Sequence, residues 1–229
     1  MATGIGTLRE GPLHAAIKDR LAVPGDRAEV KVGRFAIDLV RAHGELVEVQ
    51  TGGFGPLGRK LDALLDEHRM RVVFPVPARR RIVRIDEHGE IVSSRMSAKR
   101  CTELELFDRL VSWPTLVAHP NLTIEVLLCD EDHVRGPEAG RSRSGRRTRD
   151  PGVRQLNDII ERVEVAGPRD ALALLPEGTF AEPLTTRELA KQLKVGRVLA
   201  TRVVYCLRAM DLVQSVGNRG RSPLYSLVD

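Results

Sequence analysis

Aromatic residues are scarce in this chain of 229 residues, which holds one Trp, two Tyr and five Phe. Because hydrophobic residues still make up 42% of the composition, a core must be built mainly from Leu, Val, Ile and Ala. Long apolar stretches are missing as well. No run of about 18 apolar residues occurs, which argues against a membrane span, and the N-terminal segment lacks the apolar centre of a secretory signal.

Cysteine is rare and scattered. Cys101, Cys129 and Cys206 are odd in number and show no Cys-x-x-Cys spacing. This distribution argues against a disulfide framework and against a thiolate zinc site. It predicts a protein of the reducing cytoplasm.

The positive charge is unevenly distributed. The formal net charge is +5, from 36 basic and 31 acidic residues. Residues 135–154 carry seven Arg against two acids, and residues 184–229 carry eight basic residues against three acidic ones. Since the basic excess is confined to these two stretches, they indicate an anionic polymer as partner.

Apolar patterning over residues 8–134 alternates between helical and strand periods. It predicts a helix, a three-stranded meander, a helix, a buried strand, a hairpin, a helix and a last strand. His43-Gly44 is the predicted turn between the second and third strands. We expect Pro75 and Pro77 to end the buried strand and Pro114 to end the last helix. The predicted fold class is therefore α/β, with a mixed sheet flanked by helices.

The pattern divides the chain into three parts. Residues 1–134 form the α/β domain, and residues 135–153, which are nearly free of apolar residues, predict an Arg-rich linker. Residues 154–229 begin with helical spacing over 154–165, interpreted as a helical connector, and continue into a second, smaller unit.

That smaller unit has a distinctive order. A helix, RELAKQL, follows Thr185 and Thr186, either of which suits the N-cap position, and Glu188 is spaced for a capping box. A Lys-Val-Gly turn, a longer helix VLATRVVYCLRAM and two strands joined by a GNRGRSP loop come next. This order resembles a winged helix-turn-helix domain.

Two acids fall on adjacent strands of the meander. Asp38 lies in the second strand and Glu48 in the third, and Gln50 should share the face of Glu48. If the strands pair around His43-Gly44, the carboxylates come close together, which is costly unless a cation lies between them. Oxygen ligands of this kind suit Mg²⁺, which would neutralise charge at a phosphodiester.

A meander that carries Asp and Glu-x-Gln between two helices resembles the core of the PD-(D/E)xK nuclease superfamily over residues 8–76. The stretches PLHAAIK, FAIDLVRAHGELVEVQTGGF, RKLDALL and SAKRCTELELFDRLVSWPTL are similar to an uncharacterised prokaryotic group within it. The resemblance implies a restriction-endonuclease-like fold and a Mg²⁺- or Mn²⁺-dependent DNA endonuclease. It also implies that Asp38 and Glu48 hold the metal, with the Val49 carbonyl as a further ligand.

The chain departs from the superfamily pattern at Gln50, which stands where the usual Lys would be. Gln can orient a water molecule but carries no charge. Lys60 in the following helix or Lys18 in the preceding one could supply the charge. Glu10 or His14 corresponds to the additional acidic or polar residue that many members place in the first helix.

Candidate DNA contacts lie in three places. The second C-terminal helix and the turn before it carry Lys194, Arg197 and Arg202, and the predicted wing tip carries Arg219 and Arg221. Lys99 and Arg100 lie before the last helix of the α/β domain. One active site per chain would make double-strand cleavage easier for a homodimer.

Two other functions stay open. A non-catalytic DNA-binding regulator could keep the nuclease-like fold as a scaffold, and Gln50 and the C-terminal unit favour this alternative. Alternatively, the N-terminal domain could bind a protein partner in a larger complex.

Overall fold

The computed structural model describes residues 11–137 and 152–228. Its α-helices are α1 (Pro12–Leu21), α2 (Gly58–Leu64), α3 (Phe107–Leu110), α4 (Pro168–Ala173), α5 (Thr186–Gln192) and α6 (Arg197–Ala209). Short 3₁₀ turns cover Gly55–Leu57, Glu103–Leu106 and Pro114–Ala118. The strands are β1 (Arg27–Val32), β2 (Phe35–Val40), β3 (Leu46–Val49), β4 (Met70–Ile85), β5 (Ile91–Met96), β6 (Leu122–Arg135), β7 (Val153–Val165), β8 (Val213–Arg219) and β9 (Ser222–Leu227).

Strands β1 to β7 form one mixed sheet. The order is β1-β2-β3-β4-β6-β7, and β5 pairs with the distal end of β4. Strand β4 runs parallel to both β3 and β6, whereas the other neighbours are antiparallel. A seven-stranded mixed sheet flanked by helices confirms the predicted α/β class. The predicted turn at His43-Gly44 is confirmed, with Gly44 at φ +92°, and the predicted hairpin is that of β4 and β5, which turns at His88-Gly89 with Gly89 at φ +85°.

Helix α1 covers one face of the sheet. Its buried residues Leu13, Ile17 and Leu21 recur at helical spacing and pack against Val47 and Leu127, among other residues of the sheet. The opposite face is covered by α2, α3 and the C-terminal helices in one continuous hydrophobic cluster. The sheet therefore lies between two apolar layers, with α1 on one face and α2 on the other.

Residues 154–165 form a strand, so the prediction of a helical connector was wrong. Strand β7 pairs with β6 along its length, but two bulges each add one residue to β7. Leu156 and Ile159, three residues apart, therefore both pack on the α1 side. That spacing imitates the period of a helix, which explains the error.

Strand β4 does not end at Pro75 or Pro77, contrary to prediction. The carbonyl of Val73 accepts from the Gln50 amide, so odd-numbered residues of β4 turn their backbone groups toward β3. On that side of β4, the pairing with β3 ends at Val73 and the pairing with β5 begins only at Arg81. Pro75 and Pro77 lie between these two points, where β4 has no neighbour on that side among the described residues, so their missing N–H groups remove no hydrogen bond from the sheet.

Three other boundaries differ from prediction. The helix expected to end at Pro114 is a 3₁₀ turn followed by the four residues of α3. The predicted linker begins and ends inside strands, since Arg135 belongs to β6 and Val153 to β7, while residues 138–151 lie outside the described ranges. The loop between β8 and β9 is a tight turn at Gly220-Arg221.

The C-terminal unit packs directly on the first. Helix α6 contributes Val203, Cys206 and Leu207 to the large hydrophobic cluster, where they join Phe107 of α3. Residues Leu184 and Tyr225 form an isolated bridge that connects the segment before α5 to β9. The two units thus share one core.

Two local predictions in this unit are confirmed. Thr185 is the N-cap of α5 and forms a capping box with Glu188. Lys194 has a left-handed φ of +54° in the turn before α6. Within residues 11–137 and 152–228, no helix is both long enough and apolar enough to cross a membrane.

Candidate functional site

Asp38 and Glu48 face each other where β2 and β3 separate. The two strands pair only at Leu39–Val47 and Val40–Leu46, and the same register extended by one step sets Asp38 opposite Glu48. Beyond this point the Val49 amide donates to a side chain, Asp38 Oδ2, at 2.8 Å and not to a backbone carbonyl of β2. The fork between these strands therefore brings both acids together, as the sequence predicted.

Helix α1 holds Asp38 from one side. His14 Nε2 lies 3.2 Å from Asp38 Oδ2, so a protonated Nε2 donates to the carboxylate. Burial by itself would raise the pKa of Asp38. The hydrogen bonds from His14 and the Val49 amide, with the charges of His14 and Lys60, outweigh burial and hold the pKa below its ordinary value of 3.8.

Helix α2 holds Glu48 from the other side. Lys60 Nζ donates to Glu48 Oε1 at 2.5 Å and to the Ala36 carbonyl at 2.7 Å. Glu48 is 5% exposed. Burial, followed by the nearby charge of Asp38, raises the pKa of Glu48 to about 7 although Lys60 acts against that rise.

This arrangement gives two neighbouring carboxyls different protonation. Near neutral pH, Asp38 is ionised while Glu48 is divided between its two forms, so Glu48 can accept or release a proton in that range. A divalent cation beside the pair would relieve both the repulsion and the burial of charge, and carboxylate oxygens are its preferred ligands. Among the described residues, no cluster of three or more His, Cys, Asp or Glu side chains is arranged to hold a metal ion. A cation here would therefore depend on the two acids and on backbone or water oxygens.

The other predicted site residues are placed differently. Gln50 donates from Nε2 to the Gly53 carbonyl at 2.8 Å and so folds into the turn after β3. Lys18, one turn of α1 beyond His14, donates to Glu29 of β1 at 2.5 Å. Lys60, the other candidate lysine, is bonded to the site carboxylate of Glu48. Glu10 lies outside the described residues.

The predicted DNA contacts divide into exposed and paired side chains. Lys194, Arg197 and Arg221 are exposed. Arg202 instead forms an ion pair with Asp108 of α3 at 2.6 Å, and Arg219 pairs with Glu188. These two guanidiniums hold elements of the protein together in addition to any contact with a ligand.

The remaining two candidates lie ahead of α3. Lys99 forms an ion pair with Glu105 at 3.2 Å, while Arg100 is exposed. Neither belongs to the fork at Asp38. They form a separate, smaller source of positive charge.

Comparison with known proteins gives one family. Residues 11–166 match the domain of unknown function DUF8091. The chain belongs to that family. A Treponema pallidum (strain Nichols) protein, described as "Uncharacterized protein", is 34% identical over 140 residues, or 61% of this chain and 56% of the relative. The chain thus spans just over half the length of that relative. No solved structure matches.

The DUF8091 region ends one residue after β7, so it contains the whole seven-stranded sheet and the acid pair. It also contains a cleft that sequence reasoning missed. Next to His14, a cavity of about 290 Å³ opens between the first turn of α1, Thr51 and the start of β7, where Arg154 lies. Arg154 counts among the seven Arg of residues 135–154, but no local motif marks it as a site residue, and the segment that begins with it is predicted as a helix.

Proposed function

We propose that this protein is a divalent-metal-dependent DNA endonuclease whose C-terminal unit binds DNA. The observation that carries the proposal is the pairing of Asp38 and Glu48 at the β2–β3 fork. Glu48 is buried and Asp38 is half-buried, and each is bonded to a basic side chain from a different helix. Buried acids are rarely kept side by side for stability alone, because their repulsion and desolvation are unfavourable. This spacing of acids is the part of the chain that resembles PD-(D/E)xK nucleases.

Asp38 and Glu48 would hold Mg²⁺ or Mn²⁺, with the Val49 carbonyl as the third oxygen donor from the protein. The metal would supply charge neutralisation at the phosphodiester and a more acidic bound water. His14 orients Asp38 through its hydrogen bond, which leaves that carboxylate ionised. Its role is thus to position a ligand.

Lys60 is the best candidate for the missing superfamily lysine. Its ammonium already lies at Glu48 in the fork, where it would stabilise negative charge on a phosphate. Gln50 would contribute to the shape of the turn after β3 through its bond to Gly53.

The element order of the C-terminal unit supports a winged-helix assignment. Helix α4, the bridge at Leu184, helices α5 and α6 and the β8–β9 hairpin follow one another in that order. Exposed Arg197 at the start of α6 and Arg221 at the hairpin turn would contact phosphates. The Arg-rich stretch of the sequence would add salt-sensitive affinity.

The proposal is tested by incubating supercoiled plasmid with the full chain and Mg²⁺ or Mn²⁺. We expect nicking or linearisation by the wild type and a rate at least ~100-fold lower for Asp38→Asn, because the metal site loses a charge. The matched control is Asp66→Asn, a change at a side chain that is 92% exposed, which should cleave like the wild type. If neither Mg²⁺ nor Mn²⁺ supports cleavage, the proposal is overturned.

A second candidate function is a non-catalytic DNA-binding regulator. It is favoured by Gln50, which is uncharged and bonded to Gly53, and by Lys60, whose ammonium is already bonded to Glu48 and Ala36. A regulator should bind duplex DNA equally well with and without EDTA and should never cleave it. Sequence-selective DNA binding, together with no cleavage of the supercoiled plasmid, would identify this function.

A further inference from the structure

We propose that the cleft beside His14 binds a second phosphate group of the nucleic acid and that Arg154 recognises it. This inference rests on the proposed function, since it names a contact of the same substrate. The ligand chemistry is a phosphate monoester or diester, either within the DNA strand or at its 5′ end.

The cleft adjoins the acid pair through two elements. His14 lines the cleft and is bonded to Asp38, and Thr51 lines it two residues after Val49, whose amide is also bonded to Asp38. A cavity of about 290 Å³ is roughly ten times the volume that one water molecule occupies, so it has room for a phosphate and part of a sugar. A strand that reaches Asp38 would therefore pass this cleft.

The charge at the cleft is unbalanced in favour of an anion. Glu131 is fully buried and is shared by two guanidiniums, Arg80 at 2.6 Å and Arg154 at 2.7 Å. Among the described residues that line the cleft, none is acidic, and the two with basic side chains are Arg154 and His14, of which His14 is bonded to Asp38. One carboxylate between two arginines leaves a net positive charge, and a phosphate would balance it.

Arg154 is held in a fixed orientation. Its Nε and one terminal nitrogen both donate to the Glu131 carboxylate, which fixes the plane of the guanidinium while 26% of the side chain stays exposed. An arginine fixed in this way loses little conformational entropy when it binds a phosphate. It therefore differs from the exposed basic side chains of the C-terminal unit, Lys194, Arg197 and Arg221.

The backbone before Arg154 is also constrained. Gly152 has φ +71°, and a Cβ at this position would lie 2.6 Å from His133 Nε2 and 2.7 Å from the Val134 carbonyl. Only glycine allows β7 to begin this close to β6. The start of β7 is thereby fixed, and with it the position of Arg154 at the cleft.

The experiment compares Arg154→Gln with Arg162→Gln in the full chain. Arg162 lies on the same strand, is half exposed and pairs with Glu125, so it is a matched loss of charge outside the cleft. Binding of one duplex is measured across a salt series, with a 5′-phosphate and with a 5′-hydroxyl. For Arg154→Gln we expect the salt slope to fall by about 0.9 and KM for cleavage to rise about tenfold at little-changed kcat, with Arg162→Gln unchanged.

Two further measurements guard against a folding defect and identify the source of the phosphate. Thr51→Val changes the cleft without touching Glu131, and a several-fold rise in KM is expected from it. An effect confined to the 5′-phosphorylated duplex assigns the cleft to a terminal phosphate, and an equal effect on both duplexes assigns it to an internal one.

The inference is overturned if Arg154→Gln and Thr51→Val both leave the salt slope and KM unchanged while the wild type binds and cleaves. A wild type that neither binds nor cleaves any duplex overturns the proposed function, and this inference with it. The two failures are therefore distinguishable.

Discussion

In the β2–β3 fork the charged side chains are buried or half-buried and each has a fixed partner, whereas the C-terminal unit carries several charged side chains that are exposed. Asp38 and Glu48 are held by His14 and Lys60 from opposite faces of the sheet. Arg197 and Arg221 face solvent. Buried, paired charges have defined geometry and shifted pKa values, which suits chemistry, while exposed ones attract a polyanion over a distance and are screened by salt.

The two regions are nevertheless one folding unit. Phe107 is fully buried in the cluster that also contains Val203 and Leu207 of α6, and Cys206 donates from Sγ to the Phe107 carbonyl at 3.7 Å. Deleting residues 184–229 would therefore expose the core as well as remove the basic surface. Single substitutions separate the two contributions more cleanly.

The largest effect tests whether the regions share a core. Phe107→Ala should lower the free energy of unfolding by about 3–5 kcal/mol, because a fully buried aromatic side chain leaves a cavity. Urea unfolding followed by circular dichroism should give a single transition at lower urea concentration. Two separate unfolding transitions, of which only one moves to lower urea concentration, would show that the two regions do not share a core.

The next largest effect is the pH-dependent stability change expected when the buried carboxyl of the fork, Glu48, is replaced. The pKa of Glu48 is raised from 4.5 to about 7, so the folded protein keeps this proton longer than the unfolded chain does. The associated stability is present below about pH 4.5 and is lost as the pH rises through about 7. Glu48→Gln should therefore be more stable than the wild type at pH 8, by up to about 3 kcal/mol, and the difference should shrink toward pH 4.5.

Urea titrations at pH 5 and pH 8 measure this difference. Glu87→Gln is the control, because that side chain is 80% exposed, and it should behave like the wild type at both values. A Glu48→Gln protein that loses stability equally at both pH values would show that burial of charge is not the dominant effect in the fork.

A smaller effect tests the exposed surface. Replacing Lys194, Arg197 and Arg221 together by Gln should reduce the slope of log K against log salt by about 2 to 3 and weaken DNA binding about tenfold or more near physiological salt. Stability should hardly change, because the three side chains are exposed. Electrophoretic mobility shifts over a salt series measure the slope. An unchanged slope would move the DNA contact away from α6 and the hairpin.

The smallest effect concerns the ion pair between the regions. A double-mutant cycle on Arg202 and Asp108, each changed to Ala, should give a coupling energy of about 0.5 kcal/mol, since both side chains are partly exposed. If the coupling is zero while Arg202→Ala alone weakens DNA binding, Arg202 acts as a DNA contact and not as a bridge.

Local signals predicted a large part of the fold. The apolar spacing of α1, the turn at His43-Gly44 and the capping box of Thr185 all depend on residues close together in the chain. Strand β7 was missed because its bulges give apolar residues a helical period. The continuation of β4 through Pro75 could not be foreseen, since it depends on where β3 ends in the neighbouring position of the sheet.

The candidate site shows the same division. Asp38 and Glu48 were predictable because two strands joined by a short turn bring their side chains together. The choice of Lys60 as the partner of Glu48 required the packing of α2 on the sheet. Arg154 joins the cleft because β7 pairs antiparallel with β6, which brings the start of β7 beside His14, a residue far away in sequence.

By itself the sequence determined the class of fold, the acids of the fork and the uneven distribution of positive charge, because periodicity, turn chemistry and composition act over short distances along the chain. Only the tertiary structure decided which basic side chain faces which acid, which arginines are left exposed and which are held in ion pairs. The reason is physical: pKa values, ion pairs and clefts depend on burial and on contacts between residues that are distant in sequence.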